Sequence, residues 1–547
     1  MLTNKYDYKQ ILAISILLIV VTFSVYFGSL FNGFIIDDNH LIVNADVVKS
    51  PNLILKKSPH GFLNAYYRPI VVLSYAFDYF LWRLNPLGYH LTNILLHSLL
   101  ALLIFIGAQL LFGQIKLAAL TGILFAIHPI NSVTVNYIAD RANTLVAICM
   151  ILALFCFCYG YKKERLHWYI GGFFGVFGAF FCRESAVIFP LYLLSVLLFI
   201  RNKEKDNQMF ALFGLSSLMS IIYLIIRRTK FASIRPDGLN TYFSIEHINA
   251  FIFIIIKYLK SIFAPDNIVF YHIIDPDSLK AGNAYYLILI FLCLGFLVVK
   301  FFRNKILRFG LSWFFVGIFP LYYMMFSRHQ EGLMMQDSWI YFSSAGGVLI
   351  ISYILIEIGK KIDKKLWYFL LVLIIVFYAR KTAAYSALWH DENTYFKYWN
   401  KVEGNTPFVG LYFADYYYKR KEYDQAIYYY EEIGDFRSAA IVALESGKLI
   451  KAAICNELAA QKNPDDPDIY LDLAYISLKL NKLNKAIYYN KKTLLKSPDA
   501  WRAHFNLSQI YFLIGQEEKA NSEKAKAQAI EPEYEMILMA EGVILNR

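Results

Sequence analysis

Charged residues are scarce in this sequence, and the shortage is uneven. They make up 18% of its 547 residues, whereas an ordinary soluble domain contains about 25%. The deficit lies before residue 380, where long apolar runs alternate with short polar joints, while the remainder has an ordinary water-compatible composition. A single soluble domain is therefore excluded, and we predict a membrane-embedded region followed by a soluble one.

Cysteine is also scarce. The six cysteines form no CxxC pair and lie mostly inside the apolar runs, which argues against both a zinc site and a disulfide framework. The net charge of +12 raises the question of a nucleic-acid partner. The basic residues, however, cluster in the joints between apolar runs, which is how orientation in a bilayer is encoded. We therefore predict no nucleic-acid partner.

Twelve apolar runs approach the length of about 20 residues that a membrane-crossing helix requires. They begin near Ile11, Tyr89, Leu117, Ala142, Leu166, Ser185, Met209, Ile248, Ala284, Ile306, Tyr341 and Leu366. The first run is too long for a signal-peptide core and lacks a small-residue cleavage site, so we interpret it as a retained span. The run near Ile248 carries Lys257 and Lys260, and a mid-bilayer lysine costs about 2.5–3.5 kcal/mol. We expect that run to lie in the interface or to re-enter, which leaves eleven spans.

The positive-inside rule then sets the orientation. The strongest basic joints are residues 162–165, 201–205, 300–308 and 359–365. With these joints in the cytoplasm, the amino terminus is cytoplasmic, the C-terminal region lies outside, and a large loop, residues 32–88, shares the outer face with most ionisable residues at span ends. Because such residues are costly in a membrane, we predict that together they line a wet functional cavity, although a single arginine is better explained as a snorkelling helix end.

From Tyr412 onward the sequence repeats every 34 residues. The repeated pairs are Leu473 and Leu507, Ala486 and Ala520, and Pro498 and Pro532. Small residues where two helices touch, with proline at the repeat end, are typical of tetratricopeptide (TPR) repeats. We therefore predict an all-α chain with a polytopic membrane helical bundle in residues 1–400 and a TPR α-solenoid in residues 401–547. The solenoid is expected to bind an acceptor or a protein partner.

Two adjacent carboxylates, Asp37 and Asp38, follow the first span. At the mouth of a membrane cavity, one carboxylate can take the proton of an incoming hydroxyl while the other orients it or sets its pKa. The alternative is that one of them caps a short helix running toward Val47. The sequence leaves both interpretations open.

Several further motifs follow in order. They are Tyr66-Tyr67-Arg68-Pro69, Asn85-Pro86-Leu87-Gly88-Tyr89-His90-Leu91-Thr92-Asn93-Ile94-Leu95-Leu96-His97, His128-Pro129 with Asp140-Arg141, Arg183-Glu184, Asp337-Ser338-Trp339-Ile340-Tyr341, and Trp389-His390-Asp391-Glu392. With the aspartate pair and the repeats, this order resembles the transmembrane and TPR repeat-containing O-mannosyltransferases and their bacterial relatives, which are GT-C type glycosyltransferases. The resemblance covers essentially the whole chain. Arg183-Glu184 stands where Lys-Glu is commoner, and Ser338-Trp339 stands where Arg-Tyr is usual, which puts one phosphate contact in doubt.

The resemblance implies a membrane enzyme that transfers a monosaccharide from a polyprenyl- or dolichyl-phosphate sugar to a protein or glycan hydroxyl on the non-cytoplasmic side. Asp37 is the candidate base, with Asp38 as the alternative. The candidates for binding the donor phosphate are Arg68, Arg141, Arg183, Arg328 and His128. Glu184, Asp337 and Tyr341 are supporting residues, and Glu184 is expected to pair with a nearby arginine. No cofactor and no metal site are expected, with a divalent metal left open.

Other functions compete with this one. A ligase or polymerase that transfers a whole lipid-linked oligosaccharide also combines many spans with TPRs, but a long outer loop late in the membrane region would be expected. A transporter usually shows two related halves, and a scaffold that displays TPRs needs no aspartate pair. We expect a multi-pass protein of the bacterial inner membrane or the endoplasmic reticulum, with the TPR region in the periplasm or lumen.

Overall fold

The computed structural model describes residues 8–50, 52–53, 67–230, 245–274, 304–319, 333–404, 406–534 and 536–537. The chain divides into two compact units, Met1–Tyr398 and Trp399–Arg547, and their boundary lies two residues before the one predicted from composition. Both units are built from helices. The all-α fold class is confirmed.

The first unit is a helical bundle. Its α-helices are α1 (Tyr8–Tyr26), α2 (Asp46–Lys49), α3 (Pro69–Trp82), α4 (Pro86–Phe112), α5 (Ile115–Ile127), α6 (Ser132–Asn136), α7 (Arg141–Lys163), α8 (Leu166–Cys182), α9 (Phe189–Phe199), α10 (Asp206–Lys230), α11 (Ile245–Phe263), α12 (Lys305–Ile318), α13 (Ser344–Gly359), α14 (Lys364–Ala387) and α15 (Glu392–Glu403), which crosses into the second unit. Short 3₁₀ turns are Phe27–Phe31, Pro129–Asn131, Ile138–Asp140, Glu184–Ile188, Lys203–Lys205 and Asp337–Ile340, and Asn39–Val43 is a π turn. Two short strands, β1 (His272–Ile274) and β2 (Leu333–Met335), pair antiparallel with His272 opposite Met335.

Local sequence sets the helix ends. The Asn85 side chain caps α4 by accepting the Leu87 N–H at 3.2 Å, and Pro86 occupies the first turn, where a missing N–H costs nothing. At the other end of α4, Gly113 has a φ of 64°, the left-handed conformation that glycine adopts without steric cost. The chain therefore reverses tightly between α4 and α5.

Five helices of the described residues are long and apolar enough to cross a membrane, namely Tyr8–Phe31, Pro86–Phe112, Ile138–Lys163, Lys203–Arg227 and Lys364–Ala387, where adjoining 3₁₀ turns are included. A sixth candidate is the pair Ile115–Ile127 and Pro129–Asn136, which bends by 49° at His128. A helical segment begins within three residues of eleven of the twelve predicted runs, and the run near Ala284 lies outside the described residues. The polytopic membrane bundle is confirmed, while eleven crossings stay a prediction.

Two of the predicted basic joints lie at one end of the bundle, and the segment that carries Asp37 and Asp38 lies at the other end. At one end, Lys205 forms a 2.5 Å ion pair with Glu164, which joins two of the basic joints. At the other end, the Ala139 N–H donates to Asp38 at 2.7 Å, and Arg68 reaches Glu184 at 2.6 Å. We name these the basic end and the aspartate end of the bundle.

The helix α3 was not predicted. The loop assigned to residues 32–88 contains α3, which has fourteen residues and is therefore shorter than the length expected of a span. Its buried residues include Val71, Tyr75 and Asp78, so it packs into the bundle and carries polar groups with it. The aspartate end therefore has a helical wall where the sequence suggested only a loop.

The second unit is a stack of paired helices. They are α16 (Pro407–Lys419), α17 (Tyr423–Glu432), α18 (Phe436–Glu445), α19 (Leu449–Lys462), α20 (Pro467–Lys479), α21 (Leu483–Lys496), α22 (Trp501–Leu513) and α23 (Glu517–Ile530). Gly447, Asn481 and Gly515, each 34 residues apart, have φ of 77°, 57° and 74° and turn the chain between the two helices of a pair.

The same period governs the packing of the stack. Ala452, Ala486 and Ala520 are 0%, 0% and 5% exposed, so small residues recur where paired helices meet. Neighbouring repeats share apolar clusters, one of which includes Ala426, Ala439 and Ile476. The TPR solenoid is confirmed, and its stability arises from contacts between adjacent repeats.

Candidate functional site

The segment that carries the two aspartates is anchored at several points. The Asn32 side-chain amide donates to Asn136 Oδ1 at 3.2 Å and to the Ser386 carbonyl at 3.1 Å. The Gly33 N–H donates to the His390 carbonyl at 3.0 Å. The start of the segment is thus held between α6 and the end of α14.

Asp38 is sealed inside the aspartate end and is 1% exposed. Its Oδ1 accepts the Ala139 N–H at 2.7 Å, and its Oδ2 accepts the Ile35 N–H at 3.2 Å. Burial raises the pKa of Asp38 to about 8, although the two N–H donors act to lower it. Its side chain makes no capping bond to the helical turn that follows, so the alternative interpretation as a helix cap is wrong for Asp38. The residue fixes the turn to the chain before α7.

Asp37 differs from its neighbour because its side chain is only partly buried. Burial raises the pKa of Asp37, while the Tyr137 hydroxyl and the charge of His40 lower it. Tyr137 is itself 3% exposed and stacks on Trp389 with ring centroids 5.5 Å apart. The Asp37 carboxylate is therefore accessible from outside the protein and more basic than that of an ordinary aspartate. Both properties suit a general base.

Arg141 is enclosed completely and has no exposed surface. Its Nε donates to Asn93 Oδ1 at 2.7 Å, Nη1 contacts the Ser74 carbonyl and hydroxyl at 3.3 Å, and Nη2 donates to the Tyr89 carbonyl at 3.0 Å. Nη2 also forms a 2.6 Å ion pair with buried Asp78. The guanidinium group therefore ties α3, α4 and α7 together. A donor phosphate could reach it only by displacing these partners, so the structure corrects its predicted role from phosphate ligand to structural cation.

Arg183 lies at the edge of a small cavity. Its Nη1 contacts Asp140 Oδ1 at 3.2 Å and Asn143 Oδ1 at 2.5 Å. Asp140 accepts further bonds from Thr134 and Asn143. The cavity has a volume of about 40 Å³, and Arg183 lines it together with Ser185, Trp339 and Ser343, among other residues. Asp140 thus orients Arg183, and the Arg183 side chain also lines the small cavity.

Arg68 and Glu184 form a bidentate pair, with Nε to Oε2 at 3.1 Å and Nη2 to Oε1 at 2.6 Å. Arg227 approaches the same carboxylate at 3.7 Å. The three side chains are 21% to 22% exposed. Glu184 therefore forms the arginine pair that the sequence predicts, and it holds two guanidinium groups side by side near the surface.

Three predicted site residues, His128, Tyr341 and Asp337, are buried and make structural contacts. His128 is 0% exposed, with Nε2 2.9 Å from the Ile262 carbonyl and Nδ1 accepting the Ile130 N–H at 3.2 Å. Because both ring nitrogens are engaged, the structure corrects its phosphate role to that of a helix-break cap. The Tyr341 hydroxyl lies 2.6 Å from His97 Nδ1 in the core.

Asp337 supports the short sheet. Its Oδ2 accepts the Val269 N–H at 2.9 Å and lies 3.1 Å from His272 Nε2. The remaining phosphate candidate, Arg328, lies outside the described residues. Asp337 and Tyr341 therefore make structural contacts within the membrane unit, and their supporting role in the predicted site stays a prediction.

The structure thus brings most of the predicted residues into one region. The charges of Asp38, Arg68, Asp140 and Arg141 all act on the hydroxyl of Tyr75, which donates to the Ile138 carbonyl at 3.0 Å. Sealed groups (Asp38, Arg141) form the inner part, and partly exposed groups form the outer part. The outer part offers what a displacement reaction needs, namely one accessible carboxylate and paired guanidinium groups.

Sequence reasoning missed several members of this region. Asp78 and Asp140 are the buried counter-ions of Arg141 and Arg183, and Tyr137 flanks Asp37. Asp140 directly precedes Arg141 in the sequence and Tyr137 lies four residues before Arg141, so their proximity was visible. Asp78 gave a signal too, because an aspartate inside an apolar segment needs a partner.

Comparison with known proteins supports the resemblance. No protein-family model matches the sequence. Protein O-mannosyl-transferase Tmtc1 of Drosophila melanogaster is 28% identical over 184 residues, which cover 30% of this chain and 20% of that protein. Protein O-mannosyl-transferase TMTC3 of Homo sapiens is 32% identical over 148 residues, which cover 25% of this chain and 16% of that protein. The predicted resemblance is confirmed.

The matched segments are short relative to these proteins, since the chain aligns with about a fifth or less of the length of either one. Among solved structures, the crystal structure of the MamA protein is similar at 18% identity, with a TM-score of 0.24, over 26% of this chain and 81% of that chain.

Proposed function

We propose that the protein is a membrane glycosyltransferase that moves a monosaccharide from a polyprenyl- or dolichyl-phosphate sugar to a hydroxyl of a protein or glycan. The observation that carries this proposal is the half-buried carboxylate of Asp37 at the aspartate end of the bundle, the end at which Glu184 also holds the guanidinium groups of Arg68 and Arg227. The similarity to protein O-mannosyl-transferases supports it. The GT-C type of enzyme and the lipid-phosphate donor are part of the proposal.

The reaction needs one base and one site for the leaving group. The acceptor oxygen forms a bond to the anomeric carbon, its proton passes to Asp37, and the bond from the anomeric carbon to the phosphate oxygen breaks. Negative charge on the departing lipid phosphate then grows, and fixed cations stabilise it. Arg68 and Arg227, held by Glu184 with about a fifth of their surface exposed, and Arg183 are the described residues that we assign to this task. Arg328 stays a candidate.

Asp38 and Arg141 prepare the site without touching substrate. Asp38 accepts the Ile35 N–H of its own turn and the Ala139 N–H of the chain before α7, so it sets the direction in which Asp37 points. Burial raises the pKa of Asp38 to about 8, whereas the Tyr137 hydroxyl and the charge of His40 act to lower the pKa of Asp37, so we assign the role of the base to Asp37.

The proposed reaction is tested by incubating the purified full-length protein with a panel of lipid-phosphate monosaccharides and an acceptor. We expect release of free lipid phosphate with at least one donor, in step with glycosylation of the acceptor. A protein that transfers only an intact lipid-linked oligosaccharide would point to the ligase alternative. Turnover of neither class of donor would contradict the proposal.

We further propose that the aspartate end and the TPR solenoid lie outside the cytoplasm, where the solenoid recruits the acceptor or a protein partner. Cysteines placed at the exposed positions Lys361 and Asn521 test this orientation in intact cells. We expect a membrane-impermeant thiol reagent to label the position in the solenoid and to spare Lys361→Cys until the membrane is permeabilised. Labelling of both positions from the same side would overturn the orientation. The native protein without added cysteines, treated with the same reagent, is the control for labelling of its own cysteines.

A further inference from the structure

A long apolar groove lies at the opposite side of the bundle from the aspartates, between α4, α7, α12 and α13. Its volume is about 460 Å³. Leu103 and Ile104 of α4 and Ile151 and Phe155 of α7 are among the residues that line it. The groove shares no lining residue with the small cavity beside Arg183, so it is separate from the proposed site of sugar transfer.

The depth of the groove fits one leaflet of a bilayer. It follows α7 from Ile151 to Lys163, and twelve residues of α-helix rise about 18 Å. One leaflet contributes about 15 Å of hydrocarbon, half of the total thickness. An extended acyl chain that enters from the headgroup region therefore reaches the inner end of the groove without leaving its own leaflet.

The mouth of the groove is basic. Lys162 and Lys163 are the charged residues among those that line it, and no lining residue is acidic. The neighbouring carboxylate, Glu164, is engaged by Lys205 at 2.5 Å. Tyr159, another lining residue, stacks on Trp168 with ring centroids 5.2 Å apart, and aromatic pairs of this kind sit at the level of lipid headgroups.

We propose that this groove binds one anionic phospholipid. An acyl chain fills the apolar part, and the phosphate of the headgroup lies against Lys162 and Lys163. The apolar lining selects a lipid, the lysines select negative charge, and the position at the basic end selects the leaflet opposite to the aspartate end. The proposal holds whether or not the protein transfers sugar, because it uses none of the residues of that site.

Native mass spectrometry of the full-length protein tests the proposal. Protein purified in detergent is mixed with phosphatidylglycerol or with phosphatidylcholine of the same acyl chains. We expect one phosphatidylglycerol to be retained, with an affinity on the order of ten-fold above that for phosphatidylcholine, since two lysines near the surface supply that much selectivity. Equal retention of the two lipids by the wild-type protein would overturn the proposal.

Matched charge-reversal variants locate the lipid. Lys162→Glu with Lys163→Glu should abolish the preference for phosphatidylglycerol. Lys116→Glu with Lys364→Glu makes the same change in net charge at exposed positions outside the groove and should retain it. All four positions are exposed, so both variants are expected to fold. Equal loss in both would show non-specific surface attraction and contradict the site.

A competition experiment separates this lipid from the sugar donor. Polyprenyl phosphate at equal concentration should leave the bound phosphatidylglycerol in place. Stoichiometric displacement by polyprenyl phosphate would assign the groove to the donor tail and overturn the proposal for a separate phospholipid.

Discussion

Replacement of Asp37 by asparagine should lower the rate of sugar transfer about 10²- to 10⁴-fold, the usual contribution of a general base. Asparagine preserves the size of the side chain but cannot accept the proton of the acceptor hydroxyl. Binding of the donor lipid should change little, because the leaving phosphate is assigned to Arg68, Arg183 and Arg227. The measurement is single-turnover transfer at saturating donor, with donor affinity measured separately.

The pH profile gives the same experiment a second readout. Since burial raises the pKa of Asp37 above its ordinary value of 3.8, the wild-type rate should fall as the pH drops through this raised pKa, where the base becomes protonated. The Asp37→Asn variant should lose that acidic limb.

The control for this variant is Asp46→Asn, which makes the same change at an exposed position nine residues later and should leave the rate unaffected. Near wild-type transfer by Asp37→Asn would end the catalytic assignment.

Replacement of Arg141 by alanine should destabilise the membrane unit by about 3–5 kcal/mol, because it leaves the buried carboxylate of Asp78 without its counter-ion. Five polar atoms of the surrounding helices lose their partner at the same time. Thermal unfolding of the detergent-solubilised protein should therefore begin at a markedly lower temperature. If Arg141 instead bound the donor phosphate, the variant would unfold normally and show only weak donor binding.

A double variant distinguishes a lost ion pair from general damage. Replacing Arg141 by methionine together with Asp78 by leucine removes both charges and puts apolar side chains of similar shape in their place. Because apolar replacement of a complete buried pair is often neutral, this variant should recover most of the lost stability. Asp78→Leu alone, which leaves the guanidinium group unpaired, should be as damaging as Arg141→Ala. A double variant no more stable than either single variant would show that the pair is not the cause.

The sequence predicted the helices well because hydrophobic length and repeat period are properties of the chain alone. Runs near Tyr89, Ala142 and Leu366 became α4, α7 and α14 within three residues of their expected starts. The 34-residue period of the solenoid likewise needs no tertiary information, since Ala486 and Ala520 occupy equivalent buried positions. The exception, α3, is fourteen residues long and fell below the length by which spans are recognised.

The roles of the charged residues were harder to predict, because a motif identifies a residue without showing how deeply it is buried. Arg68 and Arg141 both looked like phosphate ligands, yet one lies partly exposed and the other has no exposed surface. Asp37 and Asp38 are neighbours in sequence. In the fold, Asp38 is buried and accepts two backbone N–H bonds, whereas the side chain of Asp37 stays accessible. Burial depends on which segments pack over a residue, and those segments lie far away in the chain.

The anchoring of the aspartate turn also has a consequence for biosynthesis. Asn32 bonds to a residue 354 positions later, and Asn39 bonds to Glu392, 353 positions later. At about 5–20 residues per second, a ribosome needs roughly 20–70 s to make the intervening chain. During that interval the first helix is already available for insertion into the bilayer, yet the turn that carries Asp37 lacks its partners on α14 and α15. The turn is therefore completed only after the last helix of the membrane unit has been synthesised, so a nascent or prematurely terminated chain is inserted without a completed aspartate turn.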